Sequence, residues 1–287
     1  NEYNGIRGLN ALYKRIAAKN ITAVADLHDV LRSSYLRLRF NLARYRVEHI
    51  DKHRTQRQRL VATAHKVMKP LRTAFQNYAD VFAKLGYPVK LDFTSIFSPQ
   101  GGNIRILPPE IGTKKAFQEW IGVAPFAAHK QKVYPPEMLE KMITMLTKEH
   151  PSCRVFIFGK GPLEDPIING IVSRNPQCLN ASAVLNGISQ ELVLMSHLDV
   201  MVSMDSANMH FASLVNTPVV SIWGATHPYA GFMGWGQNEH NAVQIDLACR
   251  PCSIFGNKPC LRGDLACMRN ISPEMVYERV KQVLNKK

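Results

Sequence analysis

The sequence predicts an α/β protein of two domains, each a parallel sheet covered by helices, with a cleft between them. Three observations carry that reading. Short apolar, β-branched runs alternate with helical spacings along the chain, the pattern of successive βα units. A Pro/Gly-rich passage from Phe97 to Gly112 interrupts the alternation and divides the chain into 1–108 and 109–287. The stretch Leu198–Pro228 then reads strand, tight turn, helix, loop, strand, and the second domain is organised around it.

The elements follow in order. Residues 5–19 carry Leu9, Leu12 and Ile16 on one helical face, and Ile21–Leu27 is a strand. A helix containing Arg32–Phe40, a strand at Val47–Ile50 and helices at Thr55–Lys69 and Arg72–Leu85 come next, the last ended by Gly86 and Pro88. The second series opens with a strand at Trp120–Pro125 and a helix at Pro135–His150, whose leading prolines suit a first helical turn. A strand at Arg154–Phe158, a helix near Glu164–Val172, a strand near Cys178–Ala181 and a helix at Ser189–His197 lead to the strand Leu198–Ser203, the helix from Met209 to Val215 and the strand Val219–Ile222. Ser272-Pro273-Glu274 has the cap, proline and acid of a helix start. This closing helix is expected to pack back on the N-terminal domain.

Composition bounds the function. Over 287 residues, 46% hydrophobic and 20% charged content are those of a globular protein. No apolar run reaches the length of a membrane-spanning helix. The opening residues lack an initiator Met and the apolar core of a signal peptide, and an N-terminally truncated chain is expected. Thirty-six Lys and Arg against 22 Asp and Glu leave a net charge of +14, which implies an anionic partner. From Arg32 to Arg72 there are twelve bases against only Glu48 and Asp51, interleaved with Leu36, Leu38, Leu42, Leu60 and Val61. That pattern favours a membrane-surface or acceptor-binding face over a merely solvated one. His28 and Asp29, at a strand end, are candidates for the acceptor side of the cleft. Nucleic-acid binding is the reading from a different class; no reading helix or aromatic stacking motif supports it.

The sharpest chemical signal lies at Asp205-Ser206-Ala207-Asn208. A helix that begins just past a strand's carboxyl end turns its unpaired N–H groups and positive dipole end toward whatever sits above the sheet. Small residues at Ser206 and Ala207 let a phosphate or diphosphate approach the backbone. Asp205 is expected as the N-cap of that helix.

Gly122 to Pro135, with Lys132-Val133-Tyr134-Pro135 at its end, resembles the strand–loop–Lys–x–aromatic–Pro signature of the heptosyltransferase family, glycosyltransferase family 9. Asp205-Ser206-Ala207-Asn208-Met209-His210, then Ala212, Pro218 and Gly224-Ala225-Thr226-His227-Pro228, resembles that family's Asp–small–small–x–x–His element and its Gly–x–Thr–x–Pro loop. The resemblance is sharpest from Trp120 onward. It implies a GT-B fold of two Rossmann-like domains, the N-terminal one incomplete, and metal-independent glycosyl transfer with inversion. The implied donor is an ADP-heptose-type nucleotide sugar and the implied acceptor the lipopolysaccharide inner core. The implied setting is the cytoplasmic face of the inner membrane. No cofactor is implied.

By position, Lys132 matches the lysine on the donor diphosphate, Glu164 the acid that holds ribose hydroxyls, and His210 a group one helical turn in that points to the same anion. Ala127 and Ala128 stand where some members carry hydroxyls, so only their backbone N–H groups could serve. Ile188 and Thr226 complete the donor-binding set with Asp205, Ser206, Ala207 and Asn208. The sugar is expected to be read by the loop Gly224–Gln237, through Tyr229, Phe232, Met233 and Trp235. The family's general-base Asp is expected upstream of residue 1, and no residue here is assigned that role.

Cys249-x2-Cys252-x7-Cys260-x6-Cys267 has the look of a zinc knuckle. Free or partly paired thiols in a cytosolic setting are the default, and structural zinc is the alternative. Cys153 and Cys178 are expected in the core. Alternatives within the GT-B architecture are a hexosyl- or N-acetylhexosaminyltransferase, a nucleotide-sugar 2-epimerase, and a non-catalytic sugar-nucleotide binder.

Overall fold

The structure is a computed structural model that describes residues 3–286. Its contacts divide it into two compact units, one of residues 1–58 with 71–93 and the other of 59–70 with 94–287. This differs from the expected division at 108/109. The Pro/Gly passage belongs to the second unit because it is held there: the amide of Gly102 donates to Ser196 Oγ at 2.9 Å, and its carbonyl meets His197 Nε2 at 2.8 Å.

The first unit runs α1 (Gly5–Ala17), β1 (Ala23–Asp26), α2 (Leu31–Leu42), β2 (Arg46–His49), α3 (Arg54–Leu60, which crosses into the second unit) and α4 (Ala74–Lys84). β1 and β2 pair in parallel from Ala23 opposite Arg46 to Asp26 opposite His49. Phe40 is buried between Tyr13 and Tyr45, with ring centroids 4.8 and 5.2 Å away.

Many of the bases expected to form an acceptor or membrane face are committed within their own unit. Arg37 pairs with Asp26 and Asp29 at 3.1 and 2.9 Å, and Arg54 with Asp29 at 2.6 Å. Arg39 lies over the Tyr13 ring at 4.6 Å, and Arg72 pairs with Asp80 at 2.7 Å. Asp29 is therefore engaged in a buried ion cluster. Burial pushes its carboxyl up, but the Arg54 and Arg37 guanidiniums outweigh that and hold it below its ordinary value. The helix expected over Thr55–Lys69 stops at Leu60, because His65 takes a positive φ of 52° and Lys66 turns away to donate to the carbonyls of Cys249 and Pro251, each at 2.9 Å. Tertiary hydrogen bonds override helix propensity there.

The second unit is a six-stranded parallel sheet. In chain order its elements are β3 (Trp120–Ala124), α5 (Pro136–Glu149), β4 (Arg154–Ile157), α6 (Asp165–Arg174), β5 (Cys178–Asn180), α7 (Ala181–Val184), α8 (Ile188–Met195), β6 (Val200–Met204), α9 (Ala207–Leu214), β7 (Val219–Ile222), β8 (Ala242–Val243), α10 (Ala266–Arg269) and α11 (Pro273–Leu284). The strand order is β5-β4-β3-β6-β7-β8.

Alternation of side chains along the strands splits the core in two. Ile121, Val123, Val155, Ile157, Val202 and Ile222 face Leu139 and Ile143 of α5, Ile168 of α6 and Val276 and Val280 of α11. Trp120, Phe156, Met201 and Val219 face Leu194 and Met195 of α8 and Met209 and Ala212 of α9. Cys153 and Cys178 are core thiols, pushed by burial to about 11 and about 12. α11 packs against α5, β6 and β7, where its apolar stripe completes the first core. The short α7, β8 and α10 lack enough periodicity to be read from sequence.

The Tyr134 hydroxyl, fully buried, donates to the Ile271 carbonyl at 2.8 Å and ties the loop before α5 to the start of α11. Tyr134→Phe leaves that buried carbonyl without its donor and is expected to lower unfolding stability by about 1–2 kcal/mol, read as a lower urea midpoint with an unchanged slope.

Candidate functional site

The sheet order reverses between β3 and β6: the chain leaves β3 toward β4 and β5, then returns to β6 and builds β7 and β8 on the other side. Loops that leave adjacent strands in opposite directions open a crevice at the strands' carboxyl ends, where open α/β sheets place ligands. A cavity of about 520 Å³ lies there, within the size range of small-ligand sites.

Its walls come from three strand ends. After β3 stand Phe126, Ala127, Ala128, His129 and Lys132; after β4, Phe158, Gly159 and Glu164; after β6, Asp205, Ser206, Ala207, Asn208 and His210. Phe232, Ile254 and Phe255 close the far side.

Nine of the eleven predicted donor-site residues therefore line one pocket. Thr226 does not touch it but lies buried beneath, its hydroxyl donating to Asp205 Oδ2 at 2.8 Å. Ile188 is half exposed at the first position of α8, away from the pocket lining; its helical register turns it outward. Asp205 is not the N-cap. Ser206 holds that position with extended backbone, and its hydroxyl meets Ser203 Oγ at 3.2 Å instead of capping. The first turn of α9 accordingly has no side-chain cap, and its amides keep their capacity for an anion.

Asp205 faces Lys132, whose ammonium lies 3.5 Å from Asp205 Oδ2 with the side chain 13% exposed. Glu164 is the N-cap of α6, and its carboxylate accepts from the Lys160 amide at 3.1 Å. Burial, ahead of Lys132's charge, lowers the pKa of His210, while Asp205 pulls it up. That shift favours the neutral imidazole, which offers a hydrogen bond rather than a fixed charge.

Of the loop expected to read the sugar, Phe232 alone lines the pocket. Met233 is buried in the second core. Tyr229 packs edge-on to His227 at 4.4 Å, and its amide donates to His227 Nδ1 at 3.0 Å. Phe126, Phe158 and Gly159 could have been found by asking which residues follow β3 and β4. Ile254 and Phe255 could not, because only tertiary folding brings their loop to the pocket.

Cys249, Cys252, Cys260 and Cys267 line one small cavity beside Arg250. All four are free thiols, and among the described residues no three His, Cys, Asp or Glu side chains are grouped as a metal site. Burial pushes Cys267 to about 11 and raises Cys252.

Fold and pocket together are those of a doubly wound α/β protein with a crevice at its switch point, lined by Lys132 and the uncapped start of α9. Comparison with known proteins narrows the class. Residues 9–258 match the profile of glycosyltransferase family 9 (heptosyltransferase). Over 133 residues, 45% of this chain and 40% of the relative, the chain is 27% identical to lipooligosaccharide heptosyltransferase 2 of Campylobacter jejuni serotype O:2. The alignment thus spans well under half the length of that curated relative. Among solved structures, E. coli heptosyltransferase WaaC with ADP superposes with a TM-score of 0.61 at 16% identity, over 96% of this chain and 77% of that one. The family 9 glycosyltransferase of Veillonella parvula gives 0.61 at 18% identity, over 100% and 80%. The chain belongs to glycosyltransferase family 9, and its fold is that of the GT-B heptosyltransferases.

His227, next to Thr226, yields a pH prediction. Burial first, then Arg250 and Lys66, push it from 6.5 to about 4 against the opposing pull of Asp246. As pH falls below 6.5 the unfolded chain takes up a proton that the folded ring refuses, so stability is full above 6.5 and falls by roughly 2–3 kcal/mol toward pH 4. His227→Gln is expected to flatten that decline, measured by denaturant unfolding at pH 7.5 and 5.

Proposed function

We propose that this chain transfers a heptose from an ADP-heptose-type donor to a lipopolysaccharide-type acceptor, with inversion at the sugar and no metal ion. The observation that carries the proposal is the convergence of Lys132 and the uncapped start of α9 on one pocket. WaaC, which shares the fold, has been solved with ADP and with ADP-2-deoxy-2-fluoro heptose.

In this reading the diphosphate lies across the amides of Ser206–Asn208 with Lys132 beside it, and His210 donates from one turn further in. An acceptor hydroxyl attacks the anomeric carbon from the face opposite the diphosphate. The bond from that carbon to the phosphate oxygen breaks, and the hydroxyl proton leaves to a base. Negative charge grows on the departing diphosphate, so a fixed cation and oriented amides stabilise the transition state more than the ground state. Lys132 and the helix end thereby fill the role a divalent cation plays in other transferases. Ala127 and Ala128 contribute backbone alone, and Glu164, at the rim formed by β4, is suited to ribose hydroxyls. The net charge of +14 suits an acidic lipid acceptor at the cytoplasmic face of the inner membrane.

Calorimetric titration with ADP, UDP and GDP tests the proposal. ADP is expected to bind best. Lys132→Ala is expected to weaken it by roughly 10- to 100-fold, the size of a lost charge-assisted hydrogen bond, because Asp205 would then face the phosphates uncompensated. A preference for UDP would favour hexosyl transfer, and no nucleotide binding would overturn the proposal.

A further inference from the structure

A lysine is a poor fixed charge by itself: its four-carbon stem is flexible, and ordering it costs rotamer entropy. What orders Lys132 here is a turn more than a hundred residues away in sequence. Gly256 lies with its Cα against the stem. A Cβ added there would stand 2.5 Å from Lys132 Cγ, 2.8 Å from Cδ and 3.3 Å from Cε, three consecutive methylenes. The stem thus runs along the one face of the turn where no side chain projects. Gly256 also takes a φ of +77°, the left-handed region that favours glycine.

The turn is fastened from both sides. Ser253 Oγ accepts from the Gly256 amide at 2.9 Å and donates to Asn257 Oδ1 at 3.2 Å. The amides of Cys252 and Ser253 donate to the Ala225 carbonyl at 3.0 and 3.2 Å, while the Ala225 amide donates to the carbonyl of Gln131, the residue before Lys132, at 3.4 Å. Arg250, fully buried, donates to the carbonyls of Gly224 at 2.5 Å and Thr226 at 3.1 Å. Thr226 in turn holds Asp205, and Asp205 holds the lysine's ammonium. The contacts form a closed ring, with Lys132 gripped at its stem by Gly256 and at its tip by Asp205.

We propose that Gly256 is a positioning residue: the Ser253–Gly256 turn is a seat that aims the Lys132 ammonium at the diphosphate. The proposal rests on the diphosphate reading of the pocket and assigns to this turn the pre-organisation which that reading requires. Ile254 and Phe255 of the turn line the pocket, but Gly256 does not and acts through Lys132.

The test is a double-mutant cycle read by calorimetry with ADP and, separately, adenosine, which lacks the phosphates. Gly256→Ala is expected to weaken ADP by roughly 5- to 20-fold and to leave adenosine unchanged. In a Lys132→Ala background the same change is expected to cost less than about 2-fold, as for two residues acting through one contact. Ser253→Ala, which loosens the turn without adding bulk, is expected to move ADP in the same direction by less, and it carries the test should Gly256→Ala fail to fold. Three results would overturn the seat alone: wild-type ADP affinity in the glycine variant, equal losses for ADP and adenosine, or a full additional loss on top of Lys132→Ala. Absence of ADP binding by the unmutated protein would instead remove the diphosphate reading, and the seat with it.

Discussion

The largely buried ion pair between Lys132 and Asp205 is the interaction on which the pocket depends. A lone carboxylate at the mouth of a helix N-terminus would compete with any incoming phosphate. A lone ammonium with so little exposure would be costly to keep charged. Paired at 3.5 Å they neutralise each other without closing to contact distance, and the lysine keeps donors for a ligand. The Thr226 hydroxyl donates to Asp205 Oδ2 and ties the acid to the neighbouring loop through that side chain. Asp205 engages the lysine ammonium; in the proposed complex the lysine would sit between that carboxylate and the diphosphate.

The sheet makes this arrangement rigid. Lys132, Asp205 and Glu164 leave β3, β6 and β4, three neighbours whose register is set by parallel pairing of Ile121 with Val200 and of Ile121 with Val155. Each strand is apolar on both faces and carries a separate core on each side. A shift of one strand would disturb both cores at once, so the loops above inherit a fixed frame. The flexible part of the site is the long side chain of Lys132, and that is where the Ser253–Gly256 turn makes its contact.

Much of this was legible in the sequence, and the reasons differ by residue. Strands β3, β4, β6 and β7 announce themselves because each is a short, mainly apolar run, and a strand buried on both faces carries few polar positions to blur it. Lys132 and Ser206–Asn208 could be placed together because parallel topology puts every strand's carboxyl end on one side. The capping role was misassigned: Asp and Ser are equally good N-caps, and the backbone geometry that selects Ser206 is not encoded in residue type. The helix expected through Lys69 failed for a tertiary reason, since nothing local indicates that Lys66 will bond to carbonyls near residue 250. Within the basic run, Arg37 and Arg54 pair with the acids Asp26 and Asp29, a pairing invisible until β1, α2 and α3 are folded. Phe255 and Gly256 carry no signal linking them to Lys132, because a contact across so many residues leaves no periodicity.

The central claim is that one pyrophosphate is held jointly by the Lys132 ammonium and the first amides of α9. A crystal structure of the protein soaked with ADP tests it most directly. The account predicts diphosphate oxygens within about 3 Å of both Lys132 Nζ and the Ser206–Asn208 amides. A diphosphate bound anywhere else, or bound at the helix end with Lys132 still held by Asp205 and turned from it, would contradict the account.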